Sequence, residues 1–142
     1  MRDSRSCWSS FSATLRGLTL SILNGRCHCG SVKFILRAPD GVQGLRRCNC
    51  SLCKRKGVVM ATAKLTELSI IEGEEKLSLY QWNTKIAKHY FCSHCGIYTH
   101  HQRRAAPDEY GFNVACIDGI ELSKIGDVLM IDGATMTLIE NE

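Results

Sequence analysis

Seven of the nine cysteines in this 142-residue chain are grouped into short motifs rather than spread along it. The motifs are Cys27-x-Cys29, Cys48-x-Cys50-x-x-Cys53 and Cys92-x-x-Cys95. Thiols this close in sequence are poorly placed to pair with one another, because a disulfide needs Cα atoms roughly 5.5 Å apart and a set dihedral angle. They can instead converge on one zinc ion, at about 2.3 Å from each sulfur. The pattern indicates thiolate ligation of metal in a compartment that keeps thiols reduced, which we expect to be the cytoplasm.

The length and the formal charge of the chain restrict its possible folds and partners less than the cysteine motifs do. A chain of 142 residues is expected to form one domain, which we place at 20–142, after an N-terminal tail at 1–19 that is disordered, a poor transit peptide or the product of an upstream start codon. No apolar run approaches the length of about 20 residues that a membrane-spanning helix needs. The formal charge of +4 counts every thiol as neutral, so it gives little reason to expect a nucleic-acid partner.

Alternation of apolar and polar residues predicts a mostly β domain. A first strand runs from Leu20 up to Asn24-Gly25, and a second covers 32–36 after a bend at 26–30. Further strands are predicted at 58–63, 68–71, 77–82, 88–91 and 110–117, with a helical turn around 122–125. The segment around the central cysteine motif is expected to be a basic loop.

The first and last cysteine motifs share a feature of zinc knuckles, since each is followed by a glycine, Gly30 or Gly96. In a knuckle the backbone turns so that amide N–H groups point at sulfur, and a residue with positive φ closes the turn. Two knuckles facing each other would form a closed site of four sulfurs, from Cys27, Cys29, Cys92 and Cys95. Such a zinc would be structural and would join segments more than sixty residues apart.

Cys48, Cys50 and Cys53 have no fourth cysteine nearby in sequence. Three protein ligands with one open position are typical of a catalytic zinc, which is the interpretation we favour. The alternative is that Cys116 or a histidine completes a second structural site. Cys116 falls in a predicted strand and is expected to be a buried small residue. Of the histidines, His100 and His101 are expected at the surface and His89 within a strand.

Basic residues follow the central motif directly, at Lys54, Arg55 and Lys56. Such a run is usually a solvated face. Beside three thiolates on zinc, which together carry a negative charge, it would lower the thiol pKa values and attract an anionic ligand. A contact with phosphate is the alternative use.

Three stretches of the chain together resemble one known family. They are Gly25-x-Cys27-x-Cys29-Gly30-x-Val32-x-Phe34, then Cys48-x-Cys50-x-x-Cys53-x-Arg55-x-Gly57, then His89-x-Phe91-Cys92-x-x-Cys95-Gly96. This ordered set is similar to the glutathione-dependent formaldehyde-activating enzyme family, to which centromere protein V also belongs. The resemblance extends from about residue 20 to the C-terminus.

The resemblance implies several small antiparallel sheets around two zinc sites, a fold shared with the methionine-R-sulfoxide reductases. It implies a structural zinc at the positions Cys27, Cys29, Cys92 and Cys95, and a second, active zinc at Cys48, Cys50 and Cys53. It also implies a carbon–sulfur lyase that joins glutathione to formaldehyde as S-hydroxymethylglutathione.

From these features we expect the second zinc to bind the glutathione sulfur at its open position. Arg55, with Lys54 or Lys56, is expected to bind the carboxylates of the peptide. His89 and Tyr90 are candidates for the proton donor. Two other functions stay open: a non-catalytic two-zinc module that binds a phosphate-bearing partner or nucleic acid, and sulfoxide reduction by Cys116.

Overall fold

The computed structural model describes residues 22–135, so the predictions for the tail 1–19 and for Leu20 lie outside the described residues. The described chain contains ten strands and one α-helix, joined by turns and short 3-10 helices. The elements are β1 (Ile22–Arg26), β2 (Lys33–Arg37), β3 (Gln43–Cys48), α1 (Ser51–Lys56), β4 (Met60–Lys64), β5 (Leu68–Glu72), β6 (Leu77–Tyr80), β7 (Lys88–Cys92), β8 (Tyr98–Gln102), β9 (Glu109–Asn113) and β10 (Leu129–Ile131).

The strands form two sheets, which confirms the prediction of a mostly β chain. The smaller has the order β1-β2-β5, and the larger has the order β10-β3-β4-β9-β8-β7-β6. The expectation of antiparallel sheets holds for every pairing in the described residues except one, because β10 pairs with β3 in parallel. The implied relation to the methionine-R-sulfoxide reductase fold stays a prediction.

One apolar cluster joins the two sheets. Phe34 and Leu36 of β2 pack in the same cluster as Ala61 of β4 and Phe112 of β9, and all four are almost completely buried. Burial of a large apolar side chain stabilises the folded state by roughly 1.5–3 kcal/mol. Gly25 explains part of this packing, since a Cβ there would lie 2.3 Å from the Phe34 ring. Both Asn24 and Gly25 belong to β1, which extends to Arg26, the first residue of the predicted bend.

The central motif folds differently from the predicted loop. The helix α1 begins after Cys50, whose sulfur accepts a hydrogen bond from the backbone N–H of Cys53, and it ends at Gly57, where φ is +64°. A sulfur acceptor here takes the place that a Ser or Asp side chain usually occupies at a helix start. The helix has six residues and no apolar periodicity, so the sequence pattern does not predict it.

The predicted strand at 110–117 is too long. Strand β9 ends at Asn113, and Val114–Cys116 form a 3-10 helix. The Asn113 side chain accepts a hydrogen bond from the backbone N–H of Ala115 at 3.1 Å and so begins that turn. In the described part of the chain, none of the helices has the length and apolar character needed to cross a membrane.

Candidate metal centres and the adjoining cavity

The first cysteine cluster lies where the β1–β2 bend meets the end of β7. The sulfurs of Cys27, Cys29, Cys92 and Cys95 lie within 4.8 Å of one another. Cys29 Sγ is 3.7 Å from the sulfurs of both Cys27 and Cys92. Backbone N–H groups point at two of the sulfurs, from Val32 to Cys27 and from His94 to Cys92, each at 3.3 Å. Gly30 and Gly96 have φ of +80° and +78°, as expected of residues that close such turns.

These distances fit a zinc ion. Four ligands at about 2.3 Å from one ion lie roughly 3.8 Å apart in a tetrahedron, whereas a disulfide would bring two sulfurs to about 2.05 Å. Hydrogen bonding with Ser31 is the main cause that lowers the pKa of Cys29 to about 6. The donor set is all sulfur and two of its members, Cys27 and Cys92, are buried, so the cluster suits a structural ion.

The second cluster is built by β3 and α1. Cys48 ends β3, Cys50 precedes the helix and Cys53 lies in it, and their three sulfurs lie within 4.8 Å of one another. Backbone N–H groups of Cys50 and Cys53 lie 3.5 Å and 3.3 Å from the sulfurs of Cys48 and Cys50. Hydrogen bonds with Cys48 and Cys53 lower the pKa of Cys50 to about 2, whereas hydrogen bonds with Cys48 and Cys50, together with burial, raise the pKa of Cys53.

Within residues 22–135, no other His, Cys, Asp or Glu side chain joins this three-cysteine cluster. Cys116 lies in the apolar core instead, where its thiol is 3.7 Å from the Tyr98 carbonyl oxygen. Burial raises the pKa of Cys116 to about 12, so this thiol is protonated and inert at neutral pH. The expectation that Cys116 is a buried small residue is confirmed, although it lies in a 3-10 helix rather than in a strand.

A cavity of about 300 Å³ opens beside the three-cysteine cluster. Three arginines and two histidines line it together with the cysteines and a turn that follows β6. The lining includes Cys48, Cys50, Cys53, Arg46, Arg103, Arg104, His89, His101, Trp82, Asn83 and Gly133. A concave site that combines apolar walls with a few polar groups is typical of small-molecule binding.

The basic residues of the helix do not line this cavity. Lys54 and Arg55 are exposed, and the Arg55 guanidinium donates to the Ser51 carbonyl oxygen at 2.8 Å. Lys56 turns toward the sheet, where its Nζ lies 3.1 Å from His89 Nδ1 and 3.7 Å from the centre of the Tyr98 ring. Binding of substrate carboxylates by Lys54, Arg55 and Lys56 stays a prediction.

The sequence predicts no separate role for Arg46, which lies in β3 and is only 9% exposed. It donates through Nη1 to the Gly44 carbonyl oxygen and to Thr62 Oγ1, at 2.9 and 2.7 Å. No carboxylate of the described residues forms an ion pair with it, whereas Arg103 pairs with Glu109. Burial lowers the pKa of Arg46, yet a guanidinium keeps its charge in proteins. The cavity wall therefore carries a buried positive charge that forms no ion pair with a carboxylate of residues 22–135, although Glu109 and Cys53 interact with it electrostatically.

The two adjacent histidines are not at the surface, so that expectation is wrong. His100 and His101 lie in β8, with exposed fractions of 3% and 9%. The His101 ring stacks on His89 with centroids 5.0 Å apart, and its Nδ1 is 2.6 Å from the Tyr98 hydroxyl. Glycine at position 111 admits this ring, since a Cβ there would lie 2.3 Å from it.

His89 is the histidine that connects the helix to the cavity. Burial, with a smaller contribution from Lys56, lowers the pKa of His89 to about 4, so the ring is neutral at pH 7. A charged lysine is a donor only, which leaves Nδ1 as the acceptor and the ring proton on Nε2. His89 thus lines the cavity as a neutral imidazole with its proton on Nε2. Tyr90, the other predicted proton donor, stacks on His100 and does not line the cavity.

Comparison with known proteins shows which family the chain belongs to. The model of the glutathione-dependent formaldehyde-activating enzyme family matches residues 22–128, which include both cysteine clusters. The chain belongs to this family.

Two relatives illustrate the similarity. A Halomonas elongata protein, provisionally named glutathione-dependent formaldehyde-activating enzyme, is 30% identical over 82 residues, which are 52% of each chain. The matched part thus spans about half the length of that relative. A crystal structure of a Rhodobacter sphaeroides protein is similar with a TM-score of 0.73 and 48% identity, covering 76% of this chain and 99% of the other.

One part of the cavity wall lies outside the stretch that matches the formaldehyde-activating family. Strand β10 and the 3-10 helix Gly133–Thr135 follow residue 128 and pack against the three-cysteine cluster. The Asn49 side chain, between two of the cysteines, bonds to Asp132 Oδ1 and to the backbone N–H of Ala134, at 3.0 and 2.9 Å. This C-terminal segment is thus fixed directly beside the clustered sulfurs.

Proposed function

We propose that the protein is a zinc-dependent carbon–sulfur lyase-type enzyme that joins a glutathione-like thiol to formaldehyde. The observation that carries the proposal is a cluster of three cysteines, without a fourth ligand from residues 22–135, at the wall of a cavity that also holds a buried arginine. Membership of the family supports the same reaction, whose product would be S-hydroxymethylglutathione.

Two zinc ions per chain fit the two clusters. Cys27, Cys29, Cys92 and Cys95 would hold one of them as a structural ion that ties the β1–β2 bend to β7. Cys48, Cys50 and Cys53 would hold the second, and a zinc with an open position supplies a site at which the pKa of a bound thiol is lowered. The same thiolate chemistry is our reason to infer a cytoplasmic location, because such clusters persist where thiols stay reduced.

Arg46 is the residue that we assign to a carboxylate of the thiol substrate. A guanidinium matches the geometry of a carboxylate and forms charge-assisted hydrogen bonds with it. Arg46 is buried in the cavity wall and pairs with no acid of the described chain, so an incoming carboxylate would neutralise a charge that burial otherwise destabilises. The exposed Lys54 and Arg55 could still attract an anionic substrate from a distance.

His89 is the residue that we assign to stabilising the charge that develops on the substrate oxygen. In the reaction the thiolate sulfur attacks the carbonyl carbon of formaldehyde, a carbon–sulfur bond forms, and the C=O π electrons move onto oxygen. That oxygen then takes one proton from water, which balances the proton that the substrate thiol releases on ionisation, and becomes the hydroxyl of the product. A neutral imidazole with its proton on Nε2 is suited to donate a hydrogen bond to this oxygen as its charge develops.

The test is the rate of product formation with the zinc-loaded protein. Glutathione and formaldehyde also combine without an enzyme, so exchange NMR should compare the rate with and without protein. We expect the protein to accelerate exchange, Cys50→Ser to abolish the acceleration, and Cys116→Ser to leave it unchanged. A wild-type protein that does not accelerate exchange would refute the proposed reaction, and loss of activity in Cys116→Ser would favour chemistry at that thiol.

A further inference from the structure

The segment 131–134, which we call the strap, lies directly against the three-cysteine cluster. It continues from β10, which pairs in parallel with β3 so that Ile131 lies opposite Cys48. Gly133 then passes so close to the cluster that a Cβ there would overlap Cys48 Sγ and lie 3.1 Å from Cys50 Cβ. The strap therefore occupies the space beside two of the three cysteine side chains.

One side chain holds the strap in this position. Asn49 donates through Nδ2 to Asp132 Oδ1 at 3.0 Å and accepts a hydrogen bond from the backbone N–H of Ala134 at 2.9 Å. The backbone N–H of Asn49 also donates to the Ile131 carbonyl oxygen at 3.1 Å. Both ends of the Asn49 amide are thus bonded to the strap, from a position between two of the clustered cysteines.

Burial of apolar side chains contributes little to this attachment. Leu129 and Met130, which precede the strap in β10, are 65% and 55% exposed, and Asp132 and Ala134 are exposed as well. A segment with few buried apolar contacts and solvent-exposed hydrogen bonds opens at a low cost in free energy. The attachment of the strap therefore depends strongly on the hydrogen bonds of Asn49.

A metal site that admits a thiol needs a means of keeping its own ligands. A substrate thiolate is the same kind of zinc ligand as a cysteine of the cluster, so it can replace that cysteine as well as bind beside it. For a cysteine to be replaced, its sulfur has to leave the ion and move into free space. The strap fills space beside Cys48 and Cys50, and Cys53 is itself only 9% exposed. With the strap in place, the three sulfurs have less room to leave the ion.

We propose that Asn49 is a positioning residue that holds the strap against the three-cysteine cluster and thereby retains the metal ion against competing ligands. This inference rests on the proposed function, because it assumes that the cluster holds a metal ion. Rupture of the Asn49 hydrogen bonds and opening of the strap would precede loss of the ion. The four-cysteine cluster is built by the β1–β2 bend and the end of β7, so its ion should not depend on the strap.

The test follows the loss of zinc from each cluster of the fully loaded protein. Pyridylazoresorcinol competes for zinc and changes colour when it binds the ion, and the kinetic phase that is missing in Cys50→Ser belongs to the three-cysteine cluster. Asn49→Ala removes two side-chain hydrogen bonds and should accelerate this phase by roughly fivefold to a hundredfold. Asp132→Ala removes one of these bonds from the side of the strap, so it should accelerate the same phase by a smaller factor. The phase of the four-cysteine cluster should keep its rate in both variants.

Two matched variants separate the attachment of the strap from general effects of mutation. Asp132→Asn keeps an oxygen that can accept from Asn49 Nδ2, so it should lose zinc at the rate of the wild type. Asp127→Ala removes an exposed acid just before β10, which is not among the groups bonded to Asn49 in the described residues, and it should leave both phases unchanged.

Three results would overturn the proposal. If Asn49→Ala accelerates both phases equally, Asn49 stabilises the fold as a whole rather than the strap. If Asn49→Ala accelerates the phase of the three-cysteine cluster but Asp132→Ala does not, Asn49 acts on the cysteines directly. Unchanged rates in Asn49→Ala would overturn the proposal and leave the proposed function intact. A wild-type protein that binds zinc only at the four-cysteine cluster would refute the proposed function and this inference together.

Discussion

Replacement of Arg46 by glutamine tests how the cavity recognises a substrate. Arg46 is 9% exposed, and it is held against β4 by the hydrogen bond of its Nη1 to Thr62 Oγ1. A glutamine would keep a polar side chain but remove the charge. If the guanidinium binds a carboxylate of glutathione, the variant loses a charge-assisted hydrogen bond that contributes about 1.5–3 kcal/mol. The affinity for glutathione should then fall roughly tenfold to a hundredfold.

The assay is calorimetric titration of the zinc-loaded protein with glutathione and with mercaptoethanol, a thiol that has no carboxylate. Arg46→Gln should weaken the binding of glutathione and leave the binding of mercaptoethanol unchanged. Arg46→Lys keeps the charge, so its affinity for glutathione should lie between those of Arg46→Gln and the wild type. The matched control is Arg55→Gln, because Arg55 is exposed on α1 and does not line the cavity. If Arg55→Gln weakens glutathione binding as much as Arg46→Gln does, the carboxylate is bound at the helix face and the assignment to Arg46 is wrong.

Three further predictions concern the metal clusters and the buried histidines. Cys95→Ser should unfold the protein or remove its zinc, because the link between the β1–β2 bend and β7 fails. Cys50→Ser should instead leave a folded chain with about one zinc ion. Equal unfolding of the two variants by circular dichroism would contradict the assignment of a structural ion to one cluster only. Gly133→Ala would place a Cβ 2.4 Å from Cys48 Sγ. This overpacking costs about 1–3 kcal/mol and should make the zinc at the three-cysteine cluster easier to remove with a chelator than the zinc at the four-cysteine cluster. An unchanged chelation profile would show that the C-terminal segment moves aside. Burial lowers the pKa of His100 from 6.5 to about 4. Between these two pH values the unfolded chain binds a proton at His100 that the folded chain does not. As the pH decreases through this range, the free energy of unfolding should therefore fall by up to about 3 kcal/mol more in the wild type than in His100→Gln. Identical pH profiles of the two proteins in denaturant titrations would contradict that reasoning.

The two cysteine clusters could be predicted from the sequence because the features that mark them are local. Cys27 and Cys29, like Cys92 and Cys95, sit on short turns whose glycines are visible in the sequence, and four sulfurs are needed to complete one tetrahedron. The structure brings the same four sulfurs together. A short-range pattern of ligands and turn residues is largely independent of how the rest of the chain packs.

The cavity could not be predicted because its residues are brought together by sheet pairing. Strand β8 lies inside the seven-stranded sheet, between β7 and β9, and its first four residues are buried, so it shows no alternation of apolar and polar residues. The position of His101 after the second knuckle predicts a surface residue, whereas the pairing of β8 with its neighbours buries it. The sequence likewise predicts no separate role for Arg46, since its contacts depend on the approach of Thr62 from β4 and of Gly111 from β9.

The central claim is that Cys48, Cys50 and Cys53 hold a metal ion with one position left for a substrate thiol. Cobalt substitution tests it directly, because sulfur–cobalt charge-transfer absorption reports each thiolate that binds the ion. We expect two cobalt ions per chain and, on addition of glutathione to the wild type, a stronger charge-transfer band that Cys50→Ser does not show. A spectrum that stays unchanged at saturating glutathione would contradict the account, because it would mean that the fourth position is already filled or closed to thiols.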